Sequence, residues 1–290
     1  MWQMLLRNWL MGTARKSMRG AAANAAKGAV DQRDATTDSR PRDQPPPVCH
    51  LGLVFALGIE AGGLVDRMAG VVMTAGSGFI AREGGLHGKR LVVIESGVGC
   101  AAAARATQAL ILGHRPQWII SAGFAGGLHD SLAQGDILMA DQIVDMHDRQ
   151  FEIDLKLSQD SFASRRRLHI GRLLTAERII REPDEKRALG KRYGALAVDM
   201  ESWAVAEVCR NEKIRFLAVR VISDAIGQTL PEDIDFLIKR KSTAGRIGAA
   251  AGAILRRPSS IKDMWQLKED ALVASDRLAK FLAGIVGQLL

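Results

Sequence analysis

From about Cys49 onward the chain alternates short unbroken apolar runs with stretches of helical periodicity. "LGLVFAL" (51–57) comes first, then "LVVIE" (91–95), "WIISA" (118–122), "ILMADQIV" (137–144), "LHIGRLL" (168–174), "ALAV" (195–198) and "FLAVRVI" (216–222). Runs of this length without polar alternation predict strands covered on both faces. Between them, "CAAAARATQALILG" (100–113) predicts a helix that stops at Gly113, with Pro116 just beyond. "SWAVAEVCRNE" (202–212) predicts another, with Ser202 as its N-cap. Strands alternating with helices predict a three-layer α/β/α sandwich around a central sheet, parallel or mixed.

After Pro231 the pattern is helical to the end, in one segment from 232 to 257 and a second beyond Pro258 that reads as an addition to the core fold. No repeat of fixed period interrupts this order. The expected organisation is therefore an N-terminal extension and linker over 1–47, a main domain over 48–258 and a C-terminal helix over 259–290.

The first 47 residues follow different rules. In "MWQMLLRNWLMGTARKSMRG", Trp2, Leu5, Leu6, Trp9 and Leu10 share one helical face ahead of Arg15, Lys16 and Arg19, the pattern of a short interfacial helix. An acid-free, Arg-rich start also fits a transit segment, and a disordered extension or an upstream start codon is an equal alternative. "DQRDATTDSRPRDQPPP" (31–47) has almost no apolar residue and four prolines, which predicts a disordered linker.

Composition narrows the function classes. With 290 residues, 47% hydrophobic and 25% charged, the chain can bury a full core. The net charge of +8 is partly gathered at the front, and aromatic residues make up only 5%, so nucleic acid is not an expected partner. Cys49, Cys100 and Cys209 are odd in number and form no CxxC spacing, which indicates neither a disulfide framework nor a zinc site. A reducing, cytoplasmic compartment is expected, with peripheral membrane contact through the N-terminus as a further reading. No apolar run approaches the ~20 residues that span a bilayer.

Candidate chemistry sits at the ends of the predicted strands. "SGVGCAAA" carries Gly97 and Gly99 into a helix, as a dinucleotide fingerprint would. The acidic residue that should follow for the ribose is missing, since no Asp or Glu lies between Ser96 and His129. "SAGFAGGLHDSLAQGD" brings Gly123, Gly126 and Gly127 straight off a strand, as a platform for a flat ligand on bare backbone or as a tight crossover. Ser223 and Asp224 end another strand, at the edge where α/β sheets hold ligands. Desolvated there, Asp224 would be a proton donor; an ordinary helix-capping aspartate is the competing reading. Glu60, after the first strand, reads as a crevice acid or a solvated loop acid.

His147 and Asp148 are more often solvent-facing, His169 structural, and Arg220 a partner for a buried acid. "AVDMESWAVAEVC" (197–209) places Asp199 and Glu201 where apolar residues would pack better. Glu60, the Gly123 to Gly127 stretch, Glu201 and Asp224 all follow strands, so that they are expected to face one crevice.

These residues, with "ESGVGCAAAA", "AGFAGGL" and a "GD" eight residues on, "VDMESWAVAEVC" and "VRVISDA", resemble the nucleoside phosphorylase and nucleosidase superfamily over about Leu51 to Ala225. Among its members the methylthioadenosine/S-adenosylhomocysteine nucleosidases are most similar. The resemblance implies that Asp224 protonates N7 of a purine, that Glu201 with Met200 holds the ribose, and that Glu60 takes a proton from the attacking water. It further implies substrate contacts at Gly97, Phe124, Ala125, Gly126, Ile179 and Ser223, with no metal or organic cofactor, and a homo-oligomer.

There are departures from the pattern. Phe124 replaces a small hydroxyl residue, which disfavours phosphate. Ile179, in "TAERII", stands where an aromatic would cover the base. "DMES", "LP" at 230–231 and the "RRP" tail resemble the hopanoid-associated branch, which acts on adenosylhopane.

Overall fold

The apolar runs form strands, and the sheet they build carries the candidate acids along one edge. The computed structural model describes residues 48–155, 167–230 and 260–289. In chain order its elements are β1 (Leu51–Phe55), α1 (Gly58–Val65), β2 (Ala69–Ala75), β3 (Ile80–Leu86), β4 (Lys89–Glu95), α2 (Cys100–His114), β5 (Trp118–Gly127), β6 (Ile137–Asp145), β7 (Gln150–Glu152), β8 (Leu168–Thr175), α3 (Pro183–Tyr193), β9 (Ala197–Asp199), α4 (Ser202–Asn211), β10 (Arg215–Asp224) and α5 (Ser260–Leu289). The extension and linker expected over 1–47 and the helix expected over 232–257 lie outside the described residues.

All ten strands join one mixed sheet, in the order β2-β3-β4-β1-β5-β9-β8-β6-β10, with β7 on β6 and β10 also pairing with β5. The strands β5, β10, β6, β8 and β9 thus close a ring. Parallel pairs run through the centre (β4–β1–β5–β10), where β1 and the middles of β4 and β5 are wholly buried. Burial on both faces is what an unbroken apolar run requires. Two helix pairs, α1 with α5 and α2 with α4, cover the sheet and complete the α/β/α sandwich.

Several expectations are corrected. The Gly123 to Gly127 stretch is not a loop: β5 continues through it, because Gly126 and Gly127 pair with Val198 and Ala197 of β9 while β10 holds the other side. Strand β9 is shorter than expected, at Ala197–Asp199. Helix α2 passes Gly113 to His114, and Arg115 takes the left-handed turn (φ 45°) before Pro116.

Ser202 is the first residue of α4 rather than its cap. Glu201 occupies the cap position, and the Asp199 carboxylate accepts the Ser202 N–H at 3.1 Å. The expected C-terminal helix is present as α5, and it packs into the main core: Ala274, Leu278, Leu282, Ile285 and Val286 are buried together with β1 and β10. Strands β2, β3 and β7 and helices α1 and α3 had no clear apolar signature. Every residue of β2 is exposed, at the sheet's outer edge.

Candidate active site

Glu60 is carried by α1, in the turn after β1, and is buried rather than solvated in a loop. One carboxylate oxygen accepts the Leu57 N–H at 2.8 Å, capping its own helix, and the other accepts the Phe124 N–H from β5 at 2.8 Å. Gly123 makes that approach possible, since a Cβ there would stand 2.8 Å from Glu60 Oε1. Burial pushes the Glu60 pKa above the ordinary carboxylate range, while the two N–H bonds pull the other way. A desolvated carboxylate of this kind is a stronger base than one in water.

Glu201 closes the other side of the same small cavity. Its Oε1 accepts the Gly99 N–H at 2.7 Å, at the head of α2, where Gly99 adopts φ 93° that a side chain would strain. Burial, and then the nearby Asp199 charge, push its pKa up to about 8. The cavity, lined by Glu60, Ser96, Ser121, Phe124, Glu201 and Arg220 among others, leaves about 10 Å³ for the centre of a water-sized sphere. That is space for roughly one water.

Because the folded Glu201 pKa lies above the unfolded value of 4.5, its ionisation opposes folding. The stabilising neutral form is fully present below about pH 4.5 and is lost as pH rises through about 8. Glu201→Gln should therefore gain stability relative to wild type between these limits, with the difference levelling off above. Urea melts of both proteins from pH 4 to 9 would check this; parallel curves would contradict the raised value.

Behind the cavity lies a buried network that assigns the remaining acid. The Arg220 Nε and Nη2 donate to Asp199 Oδ2 at 2.9 and 2.6 Å, and Nη2 also reaches Ser121 and Ser202 hydroxyls at 2.7 and 2.8 Å. Asp199 Oδ1 accepts the Thr175 hydroxyl at 2.8 Å, and the Thr175 hydroxyl oxygen in turn accepts the Trp203 N–H at 3.0 Å. Asp199 thus fixes the start of α4, and with it Glu201, while Arg220 faces the cavity.

Asp224 lies at the end of β10, opposite Gly126 on β5, with a bulge at Ser223. It is not among the residues lining the Glu60 cavity. It stands beside the same β5 segment, where a Cβ on Gly126 would come within 3.2 Å of Asp224 Oδ2. Ser223 Oγ donates to Asp224 Oδ1 at 2.6 Å and lies 3.2 Å from the Ala125 carbonyl, which is also within its reach. Lys186 Nζ donates to Asp224 Oδ2 at 2.6 Å. The sequence reading missed Lys186, which sits in the charged segment "DEKRALGKR" and reads there as solvent-facing.

Of the other expected residues, Gly97 turns at the end of β4 with φ 81°, and Met200 offers its carbonyl to the Cys100 thiol at 3.3 Å. Ile179 is half-buried between β8 and α3, next to Ile180 in a second apolar cluster. His147 is exposed near Glu177, and Asp148 takes a left-handed turn. His169 Nε2 bonds Asp136 at 3.0 Å, a structural pairing.

A mixed α/β/α sheet with a buried and a half-buried carboxylate around one cavity and a third acid beside it matches a known class: the chain belongs to the phosphorylase superfamily, whose family model matches residues 51–256. Within it the chain is similar to the 5′-methylthioadenosine/S-adenosylhomocysteine nucleosidase of Shewanella loihica, 28% identical over 212 residues that cover 65% of this chain and 92% of that protein. The fold is similar to the nucleosidase of the same name from Neisseria meningitidis in complex with methylthio-immucillin-A, at TM-score 0.64 and 22% identity over 82% of this chain and 99% of that one. It is also similar to the futalosine hydrolase of Helicobacter pylori, at TM-score 0.63 and 19% identity over 83% and 98%.

Proposed function

We propose that the protein cleaves the N-glycosidic bond of a 5′-substituted adenosine, such as methylthioadenosine or S-adenosylhomocysteine, by water attack that releases adenine. One observation carries this reading: Glu60 and Glu201 line a single cavity with room for about one water. Glu60 takes the proton of that water as it adds to C1′. Glu201 holds the vicinal ribose hydroxyls, and its ionised form, which the Gly99 N–H and Arg220 favour against burial, stabilises the oxocarbenium character that develops on the sugar. Asp224 gives a proton to N7, so that adenine leaves as a neutral base. Met200, Ser223, Gly97 and the Phe124–Gly126 backbone form the walls around the nucleoside, and Ile179 its outer rim. The names of the similar proteins support the substrate class.

Phosphorolysis is the second reading. The Arg220 guanidinium that faces the cavity is already engaged by Asp199, and Phe124 fills the place where a hydroxyl would greet an anion. Both features favour water. Adenine release from methylthioadenosine is expected to proceed equally with and without phosphate, followed by chromatography of the base; strict dependence on phosphate would overturn hydrolysis. A homo-oligomer is part of the same proposal, as is peripheral membrane contact through residues 1–47 with a long apolar 5′ substituent such as that of adenosylhopane.

A further inference from the structure

Lys186 is a buried ammonium that nothing so far has used. It lies in the first turn of α3, and its residue is fully buried. Its three donors meet three acceptors: Asp224 Oδ2 at 2.6 Å, the Gln228 carbonyl at 2.6 Å and the Ala225 carbonyl at 3.2 Å. A cation near a helix N-terminus opposes the helix dipole, and a buried ion pair is often no more stable than apolar residues of the same volume. Packing alone does not explain such a residue. It is held against one oxygen of the acid that the reaction needs, and Ser223 holds the other at 2.6 Å.

We propose that Lys186 is a positioning residue for leaving-group activation: it fixes Asp224 and resupplies the proton that Asp224 passes to the base. This rests on the hydrolytic reading above. As the C1′–N9 bond breaks, its electron pair moves into the base and N7 takes a proton relayed through Asp224, whose two oxygens start as acceptors from Lys186 and Ser223. Nζ of Lys186 supplies that proton to Asp224 and is left as a neutral amine. The water that adds to C1′ leaves its proton on Glu60. One proton passing from Glu60 to Lys186 through solvent then restores both groups, so the cycle balances.

Leaving groups separate this role from a structural one. Adenine needs a proton to leave, whereas p-nitrophenolate departs as a stable anion. In the full-length Lys186→Met protein, adenine release from methylthioadenosine should fall by about 100-fold or more, the range of general acid catalysis. Release of p-nitrophenol from p-nitrophenyl 5-methylthio-β-ribofuranoside should stay within about threefold of wild type, in contrast to that range. Lys186→Gln is measured in parallel, with thermal melts, because it keeps a neutral donor near Asp224 should the methionine variant fail to fold. Equal losses on both substrates, or no loss on either, would overturn the inference. If the wild type released no adenine from any adenosine derivative, the hydrolytic reading itself would fail; an active wild type with unsplit variants would sink only the role of Lys186.

Discussion

Replacing Arg220 with methionine is expected to lower the folding stability by about 3–5 kcal/mol, the cost of removing one partner from a buried ion pair. Asp199 would keep the Thr175 hydroxyl and the Ser202 N–H but lose both guanidinium bonds. The Ser121 and Ser202 hydroxyls would lose a shared donor in the same step. Asp199→Asn, which removes the charge and keeps the shape, should cost less if the stranded arginine can still bond its carbonyl oxygen. Chemical denaturation of the three proteins gives the comparison. An Arg220→Met protein within about 1 kcal/mol of wild type, well short of the buried-pair range, would mean that the network is more hydrated than its burial indicates.

Glu60→Gln is expected to reduce adenine release by about 100- to 10,000-fold, the contribution of a placed general base. The fold should survive. An amide offers one acceptor oxygen where the carboxylate offers two, so one of the Leu57 and Phe124 N–H bonds is lost, at about 1–3 kcal/mol for an unsatisfied buried donor. Removal of a charge that burial already disfavours offsets part of this. Binding of a nonhydrolysable adenosine analogue should therefore stay close to wild type while turnover collapses. Retained turnover would remove Glu60 from the chemistry and leave it as a helix cap.

Both predictions depend on contacts that differ in how far the chain itself announces them. The central strands were legible because burial on both faces selects continuous apolar runs, and Glu201 and Asp224 were legible because each breaks such a run with a charge. Glu60 was legible as an acid but not as part of a helix. "GIEAGGLV" has three glycines in eight residues, and each costs about 1 kcal/mol of helix propensity against alanine. The helix forms because α5 lies against it: Ser275 Oγ accepts the Gly63 N–H at 3.3 Å, and the Glu60 carbonyl is 3.3 Å from the same hydroxyl. A Cβ at Gly63 would meet the Ser275 carbonyl at 3.1 Å, so the glycine that weakens the helix also lets its partner approach.

What the sequence by itself determined is the run of central strands, their alternation with helices such as α2 and α4, and the positions of the candidate acids, since periodicity and a charge inside an apolar run are local properties. The tertiary structure alone decided that Arg220 answers Asp199 rather than Asp224, that a lysine 38 residues before Asp224 is its partner, and that the last helix belongs to the core. Those outcomes depend on which side chains meet across a closed ring of strands, and the energy of a buried charge is set by its neighbours in space.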